Sequence, residues 1–169
     1  MQQLKATKDV LGRAIDASKE ITLKVKLLDP DAVMPTRGTA DSAGYDLYAL
    51  EDAEIENQTS VMVHTGIAVE IPQGYVGLLF ARSGLATKKH LRPSNCVGVI
   101  DSDYRGEVMV SLYNDCYHTL TGSQSISKGD RIAQLVLLPY IAPRMVEVEE
   151  LSSTDRGEHG FGSTGEAKA

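Results

Sequence analysis

The clearest pattern along the chain is an alternation of apolar and polar residues that starts at residue 21. Lysine or threonine stands between the apolar positions, which are Ile21, Leu23, Val25 and Leu27. A period of two is typical of a strand that buries one face. Residues 1–20 instead place Leu4, Leu11 and Ile15 near one face of a helix. We interpret them as an N-terminal extension that is weakly helical or disordered.

Several short apolar segments follow, bounded by turn-forming residues such as the Pro-Gln-Gly at 72–74. They predict strands at 45–49, 61–71, 75–81, 96–100, 107–114, 131–138 and 145–149. One helical turn is predicted around 84–90. Many short strands with regular turns indicate an all-β sandwich, jelly roll or barrel. We predict one β domain over 21–151 and a polar, Gly-rich C-terminal flap over 152–169, either disordered or ordered by a ligand.

Composition narrows the functions that this domain can have. The chain has 169 residues, enough for one domain, and its formal net charge of -6 disfavours nucleic-acid polymers as partners. No apolar segment approaches the roughly 20 residues that span a bilayer, and residues 1–20 lack the apolar core of a secretion signal. Cys96 and Cys116 form no disulfide framework or metal-type cluster in the sequence. We expect a cytoplasmic protein in a reduced setting, with no membrane partner.

Five glycine-containing motifs lie among the predicted strands and in the flap. They occupy residues 43–47, 81–86, 98–106, 129–135 and 156–165. Each motif alone is explained by a turn or a surface loop. Together, and in this order, they resemble the five motifs of the trimeric dUTPase family. The resemblance extends from about residue 21 to residue 165, nearly the whole chain.

This resemblance implies a jelly-roll-like, β-clip protomer that assembles as a homotrimer with shared active sites. It implies a hydrolase that converts dUTP to dUMP and pyrophosphate, which keeps dUTP low and supplies dUMP for thymidylate synthesis. The implied cofactor is Mg²⁺ chelated by the substrate triphosphate, which suits an ion that usually keeps several waters. Asp46 is expected to contact the ion through water, and no direct protein ligand is expected. The alternative for Asp46 is a structural aspartate that fixes a turn or a strand register.

Asp101 is the candidate general base. It follows an apolar segment, so we expect it at the end of a strand, partly shielded from water. A carboxylate in that place can accept a proton from a nucleophilic water. The resemblance implies this role, with attack in line at the α-phosphorus. The structural alternative, an aspartate that caps a hairpin, fits Asp103 better.

The phosphate-binding candidates come from three motifs. A forked guanidinium and a hydroxyl followed by glycine are suited to a phosphate, because they donate hydrogen bonds and let the backbone approach closely. The resemblance assigns this role to Arg82, Ser83, Gly84, Gln134 and Arg156. Two of these are arginines, which together with Mg²⁺ can offset the charge of a triphosphate despite the acidic total.

The nucleoside-binding candidates lie in the third and fifth motifs. A hairpin can exclude a methyl or hydroxyl group sterically, and hydrogen bonds to the base edge reject cytosine. By resemblance, Tyr104 packs under the deoxyribose and Phe161 stacks on the base when the flap closes. A core tyrosine is the alternative for Tyr104. The remaining candidates of this group are Asn95, Gly98, Gly162 and Ser163.

Two other functions compete with this interpretation. The dCTP deaminases share the fold, but their second motif resembles Arg-Ser-Ser, where this chain has Arg-Ser-Gly at 82–84. They also carry a catalytic glutamate where this chain has Ser111. Without that carboxylate, the water that attacks the base has no proton acceptor. A regulatory protein is the second alternative, in which nucleotide closes the flap and changes a surface presented to a partner. The sequence leaves that role open alongside catalysis.

Overall fold

The computed structural model describes residues 21–117 and 122–160, which form strands and one short helix. The N-terminal extension, 1–20, lies outside these ranges. No helix in the described part of the chain is long and apolar enough to span a membrane. The elements are β1 Lys24–Leu27, β2 Tyr45–Tyr48, β3 Ala53–Ile55, β4 Ser60–Val63, β5 Ile67–Glu70, β6 Tyr75–Phe80, α1 Ser83–Lys88, β7 Leu91–Pro93, β8 Gly98–Ile100, β9 Val110–Asn114, β10 Gln124–Ile126 and β11 Arg131–Pro139.

The described strands pair in four small antiparallel sheets. The largest has the order β2-β11-β6-β8, and a second has the order β4-β9-β7. Two-stranded sheets form from β1 with β5 and from β3 with β10. Neighbours in space are seldom neighbours in sequence, so most pairings close long loops. The predicted all-β class is confirmed, and the helical turn predicted around 84–90 corresponds to α1.

One core lies between the sheets and receives the apolar face of nearly every strand. Its largest fully buried side chains include Leu47, Ile67, Leu91, Leu112 and Leu135, from five different strands. Asn114, at the end of β9, is also fully buried. Its amide donates to the Ile55 carbonyl at 3.0 Å, and its Oδ1 accepts the Cys116 N–H at 3.0 Å. These bonds compensate the cost of burying a polar group and tie β9 to β3.

The strand predicted over 61–71 is in fact two strands separated by a turn at residues 64–66. Gly66 has a φ of +67°, in the left-handed region that costs other residues roughly 1–2 kcal/mol. A Cβ at Gly66 would also lie 2.9 Å from the Ala32 Cβ. The strand therefore breaks here, where His64, Thr65 and Gly66 also interrupt the apolar run in the sequence.

The strand predicted at 145–149 is wrong for this chain. Residues 141–160 are exposed and carry no strand. Apolar side chains in this segment are open to solvent, with Ile141 77%, Met145 93% and Leu151 88% exposed. An apolar segment becomes a strand only where another strand pairs with it. Residues 141–160, which follow β11, pair with no strand in the described part of the chain. We call residues 141–160 the C-terminal arm.

Candidate active site

A cavity of about 300 Å³ lies between the edge strand β8 and the start of β9. Four residues proposed from the sequence line it together: Asn95, Gly98, Asp101 and Tyr104. Its apolar wall includes Leu79 and Val110, and Ser111 lies at the side. A recess with an apolar wall and a few polar groups at the rim suits a nucleoside. We call it the hairpin cavity.

Asp101 lies at the rim of the hairpin cavity, one residue beyond β8. The Ile100 side chain before it is 7% exposed, whereas Asp101 itself is exposed. The expectation of partial shielding is therefore wrong for a single chain. The strand ends at Ile100, and Asp101 begins a turn that its carbonyl closes by accepting the Tyr104 N–H at 3.2 Å. The carboxylate is placed where water can reach it.

Tyr104 folds back over its own hairpin. Its hydroxyl donates to the Glu107 carbonyl at 2.9 Å, and its ring passes so close to Gly106 that a Cβ there would lie 2.6 Å from Tyr104 Cζ. Glycine at 106 is thus required by the position of the ring. Tyr104 is 43% exposed, which excludes the core-tyrosine alternative.

The turn that carries Asn95 is held by Arg92, which the sequence analysis missed. The Arg92 guanidinium donates to the carbonyls of Pro93 and Ser94 at 3.2 and 3.3 Å. It also forms an ion pair with Asp115, at 2.6 Å from Nε to Oδ2, and that hydrogen bond raises the pKa of Arg92. The sequence offers no clear signal for this role, because Arg92 lies in the mostly polar stretch Lys-Lys-His-Leu-Arg-Pro-Ser-Asn at 88–95. Arg92 fixes the backbone on which Asn95 is presented.

A second recess, of about 470 Å³, lies against β2, β6 and β11. Asp46, Arg82, Gln134 and Arg131 line it. We call it the phosphate groove. The Asp46 side chain is 13% exposed and accepts hydrogen bonds from Arg82 Nε at 2.8 Å and from Arg131 Nη1 at 3.3 Å. The structure therefore assigns Asp46 an additional role that neither sequence interpretation contained, which is to orient two arginines.

Gln134 also lines this groove, and α1 begins directly after Arg82. The Gln134 amide donates to the Ala81 carbonyl at 2.9 Å, and a Cβ at Gly44 would lie 2.9 Å from its Oε1. The amide is therefore fixed in place, and its group offers a second N–H. Ser83 is the first residue of α1. A Cβ at Gly84 would meet nothing within 4 Å, so its backbone faces open space.

The flap contributes one described candidate. Arg156 is exposed in the C-terminal arm, where its Nε donates to the His159 carbonyl at 2.8 Å and closes a short turn. Phe161, Gly162 and Ser163 lie outside the described residues, so their assignment stays a prediction.

The two recesses face different sides of the four-stranded sheet. In this sheet Leu79 pairs with Gly98, and the next residue, Phe80, pairs with Gln134. Successive side chains of a strand point to opposite faces. The first pair lines the hairpin cavity and the second lines the phosphate groove. One chain therefore holds the nucleoside-binding and phosphate-binding candidates apart.

Comparison with known proteins decides the family. The family model described as dUTPase matches residues 30–165. The chain belongs to the dUTPase family. Among its relatives, the deoxyuridine 5'-triphosphate nucleotidohydrolase of Debaryomyces hansenii is 49% identical over 148 residues, which cover 86% of this chain and 89% of the relative. The enzyme of the same name from Nautilia profundicola is 44% identical and covers 85% and 98%.

Solved dUTPase structures agree with this fold. The dUTPase of Staphylococcus bacteriophage 80alpha, solved with dUpNHpp, superposes with a TM-score of 0.79 at 39% identity and covers 85% of this chain and 98% of the phage chain. A mutant dUTPase from phage phi11 of S. aureus, solved to show how it coordinates a structural Mg(II) ion, gives a TM-score of 0.72 at 34% identity and covers 78% and 99%. The predicted jelly-roll-like dUTPase fold is confirmed by these matches.

Proposed function

We propose that this dUTPase-family protein hydrolyses dUTP to dUMP and pyrophosphate, with the nucleoside in the hairpin cavity and Asp101 as general base. The observation that carries this proposal is the placement of Asp101 at the rim of a cavity lined by Asn95, Gly98 and Tyr104. A nucleoside seated between these residues would bring its 5' end towards the rim. The carboxylate then lies next to the phosphate that the reaction attacks.

In the proposed step, Asp101 accepts a proton from a water molecule as the water oxygen attacks the α-phosphorus. The bond between the α-phosphorus and the bridging oxygen breaks in line with the attack. Pyrophosphate leaves with that oxygen, and dUMP keeps the new one. A positioned general base of this kind contributes about 10²–10⁴ in rate.

The phosphate groove supplies positive charge and directed donors. Arg82 and Arg131 carry two positive charges and Asp46 one negative charge, so these three side chains sum to +1. Because Asp46 holds the Arg82 guanidinium through Nε, the side chain is oriented before a phosphate arrives. Preorganised donors lower the barrier because they need no reorientation as charge develops on the leaving group. Arg156 from the flap adds a third arginine.

The residues of the groove fit Mg²⁺ that is bound through the substrate. No group of three or more His, Cys, Asp or Glu side chains able to hold a metal occurs within 21–117 and 122–160. Asp46 is the acidic side chain that lines the groove, and it is engaged by two arginines. When bound on the phosphates, Mg²⁺ would offset their charge, and Asp46 could reach it through a water.

The active site is proposed to form in a homotrimer, from the hairpin cavity of one copy, the phosphate groove of a second and the flap of a third. Two observations support assembly. The two recesses lie on opposite faces of one sheet, so the nucleoside-binding and phosphate-binding candidates of one chain do not line the same recess. The C-terminal arm also exposes Ile141, Met145 and Leu151, apolar side chains that a second copy would cover.

Product analysis with dUTP, dCTP, dTTP and UTP side by side tests the function. Pyrophosphate is expected from dUTP alone. Ammonia release from dCTP would instead support the deaminase alternative. A deaminase would need a glutamate at position 111. This chain has Ser111 there, and its hydroxyl lies 2.8 Å from the Ser94 hydroxyl.

Removal of Mg²⁺ with a chelator is expected to lower dUTP turnover strongly while leaving the melting temperature unchanged. The reason is that the described residues provide no protein cage whose loss would unfold the chain. Turnover and thermal unfolding measured on the same chelated sample check both parts. Tight binding of Zn²⁺ to the nucleotide-free protein would contradict the proposed arrangement.

A further inference from the structure

Glu107 lines the hairpin cavity and joins it to the segment 64–66, which is distant in sequence. Its Oε1 accepts the backbone N–H groups of Gly66 at 2.8 Å and Thr65 at 3.2 Å, and its Oε2 lies 2.9 Å from His64 Nδ1. The carboxylate therefore accepts the backbone N–H groups of this segment, as the carbonyls of a neighbouring strand would do in a sheet. The Glu107 side chain is 22% exposed, so these bonds are partly shielded from water.

The main chain of the same residue holds Tyr104. The Glu107 carbonyl accepts the Tyr104 hydroxyl at 2.9 Å, and Glu107 itself lines the hairpin cavity. Its backbone is docked on β5 by a bridge to Ala68, and the next residue, Val108, donates to the Ile67 carbonyl at 2.8 Å. The residue whose carboxylate binds the segment 64–66 is thus also the residue whose carbonyl holds the Tyr104 hydroxyl.

We propose that Glu107, paired with His64, is a positioning residue that sets the depth of the Tyr104 ring and so the exclusion of the ribose 2'-hydroxyl. This inference rests on the proposed function, in which Tyr104 packs under the deoxyribose. Glu107 lies outside the candidates named from the sequence, because its contacts reach across more than 40 residues. Its role is indirect, since the carboxylate acts on the sugar only through the tyrosine.

The pair is charged over a defined pH range. The hydrogen bond with Glu107 raises the pKa of His64, and the charges of Glu107 and Glu51 add to this. Burial alone would raise the pKa of Glu107, but the hydrogen bonds from His64, Gly66 and Thr65 outweigh burial and lower it. Because the pKa of His64 is raised, its contribution to the stability of the folded state is complete below pH 6.5, the ordinary pKa of histidine. That contribution is lost as the pH rises through the raised pKa. Because the pKa of Glu107 is lowered, its contribution to the stability of the folded state is present above pH 4.5, the ordinary pKa of glutamate, and is lost as the pH falls through the lowered pKa.

The test compares Glu107→Ala, Glu107→Gln and the control Glu70→Gln. Glu70 forms an ion pair with Lys24 at 2.8 Å on the exposed end of β5, away from the cavity. Glu107→Ala is expected to lower the ratio of kcat/KM for dUTP over UTP about tenfold, with the larger change in KM. Glu107→Gln keeps an oxygen for the backbone N–H groups, so a smaller fall of about threefold is expected. Glu70→Gln is expected to leave the ratio unchanged.

Two further readouts separate positioning from stability. A merely structural role would lower the melting temperature and the active fraction but would leave the dUTP/UTP ratio as it is, and that result overturns the inference. In the unchanged protein, KM for dUTP is expected to rise as pH passes upward through the raised pKa of His64. Glu107→Gln should remove that rise, and a rise of the same size in the variant would count against the pair.

Two variants of Tyr104, Tyr104→Phe and Tyr104→Ala, distinguish failure of this inference from failure of the proposed function. Tyr104→Phe tests the connection to Glu107, and Tyr104→Ala tests the sugar site itself. Tyr104→Phe removes the hydroxyl that Glu107 holds, so it is expected to relax discrimination as Glu107→Ala does. The double variant should be no worse than the more affected single one, because both changes break the same connection. If Tyr104→Ala leaves the dUTP/UTP ratio unchanged, the assignment of the sugar site is wrong. If Tyr104→Ala relaxes the ratio and both Glu107 variants do not, only the positioning role is wrong.

Discussion

Asp101→Asn is expected to lower kcat for dUTP by about two to four orders of magnitude, while the affinity for dUTP changes little. Asparagine has nearly the shape of aspartate, so the turn that follows β8 should persist. Its neutral amide, however, cannot accept a proton from the attacking water. The loss should therefore appear in turnover and leave binding intact.

Single-turnover kinetics and titration with the analogue dUpNHpp measure the two effects separately. Asp103→Asn is the matched control, because Asp103 lies two residues further on, is exposed, and is absent from the lining of the hairpin cavity. It is expected to retain nearly full turnover. An unchanged rate for Asp101→Asn would remove Asp101 from its role.

Truncation before Arg156 is expected to lower turnover at least about a hundredfold, the cost of losing one well-placed donor to a developing charge. The deleted segment contains Arg156 and the candidates Phe161, Gly162 and Ser163. The core should not be affected, because its side chains lie between Leu47 and Leu135 and the described part of the flap is exposed. Thermal unfolding should therefore give the same melting temperature as the full chain.

Removal of residues 166–169 alone is the control for this truncation. These residues lie beyond the family match, which ends at 165, so activity should be retained. Arg156→Ala in the full chain should account for part of the loss and leave the remainder to the other flap residues. A melting transition that falls sharply on truncation would mean that the flap is structural.

The strands that could be predicted most closely are those that lie within a mostly apolar run. Predictions for β6 and β11 agree with the structure to within one residue, because both are long, mostly apolar runs. The strands β3, β7 and β10 have three residues each and were not predicted as separate strands. Polar residues surround these three strands in the sequence, so only their partners in the sheets define them.

The contacts of the site could not be predicted, because they depend on strand order. Arg82 meets Asp46 across 36 residues, and His64 meets Glu107 across 43. The motifs identified which residue types are available, but the pairing β2-β11-β6 determines that Asp46 and Arg82 share one groove. The shielding expected for Asp101 failed for a similar reason, since an apolar segment before a residue does not show what covers the residue itself.

The arrangement of the two recesses has a consequence for mixed populations of chains. In the proposed homotrimer, a chain altered in its hairpin cavity would still lend an intact groove to a neighbour, so a defect would stay confined to the sites that include the altered part. Co-expression of a defective and a normal copy should therefore reduce activity in proportion to the defective share, without abolishing it. An inactive variant of this chain would in this way dilute the activity of a mixed population without inhibiting the normal copies.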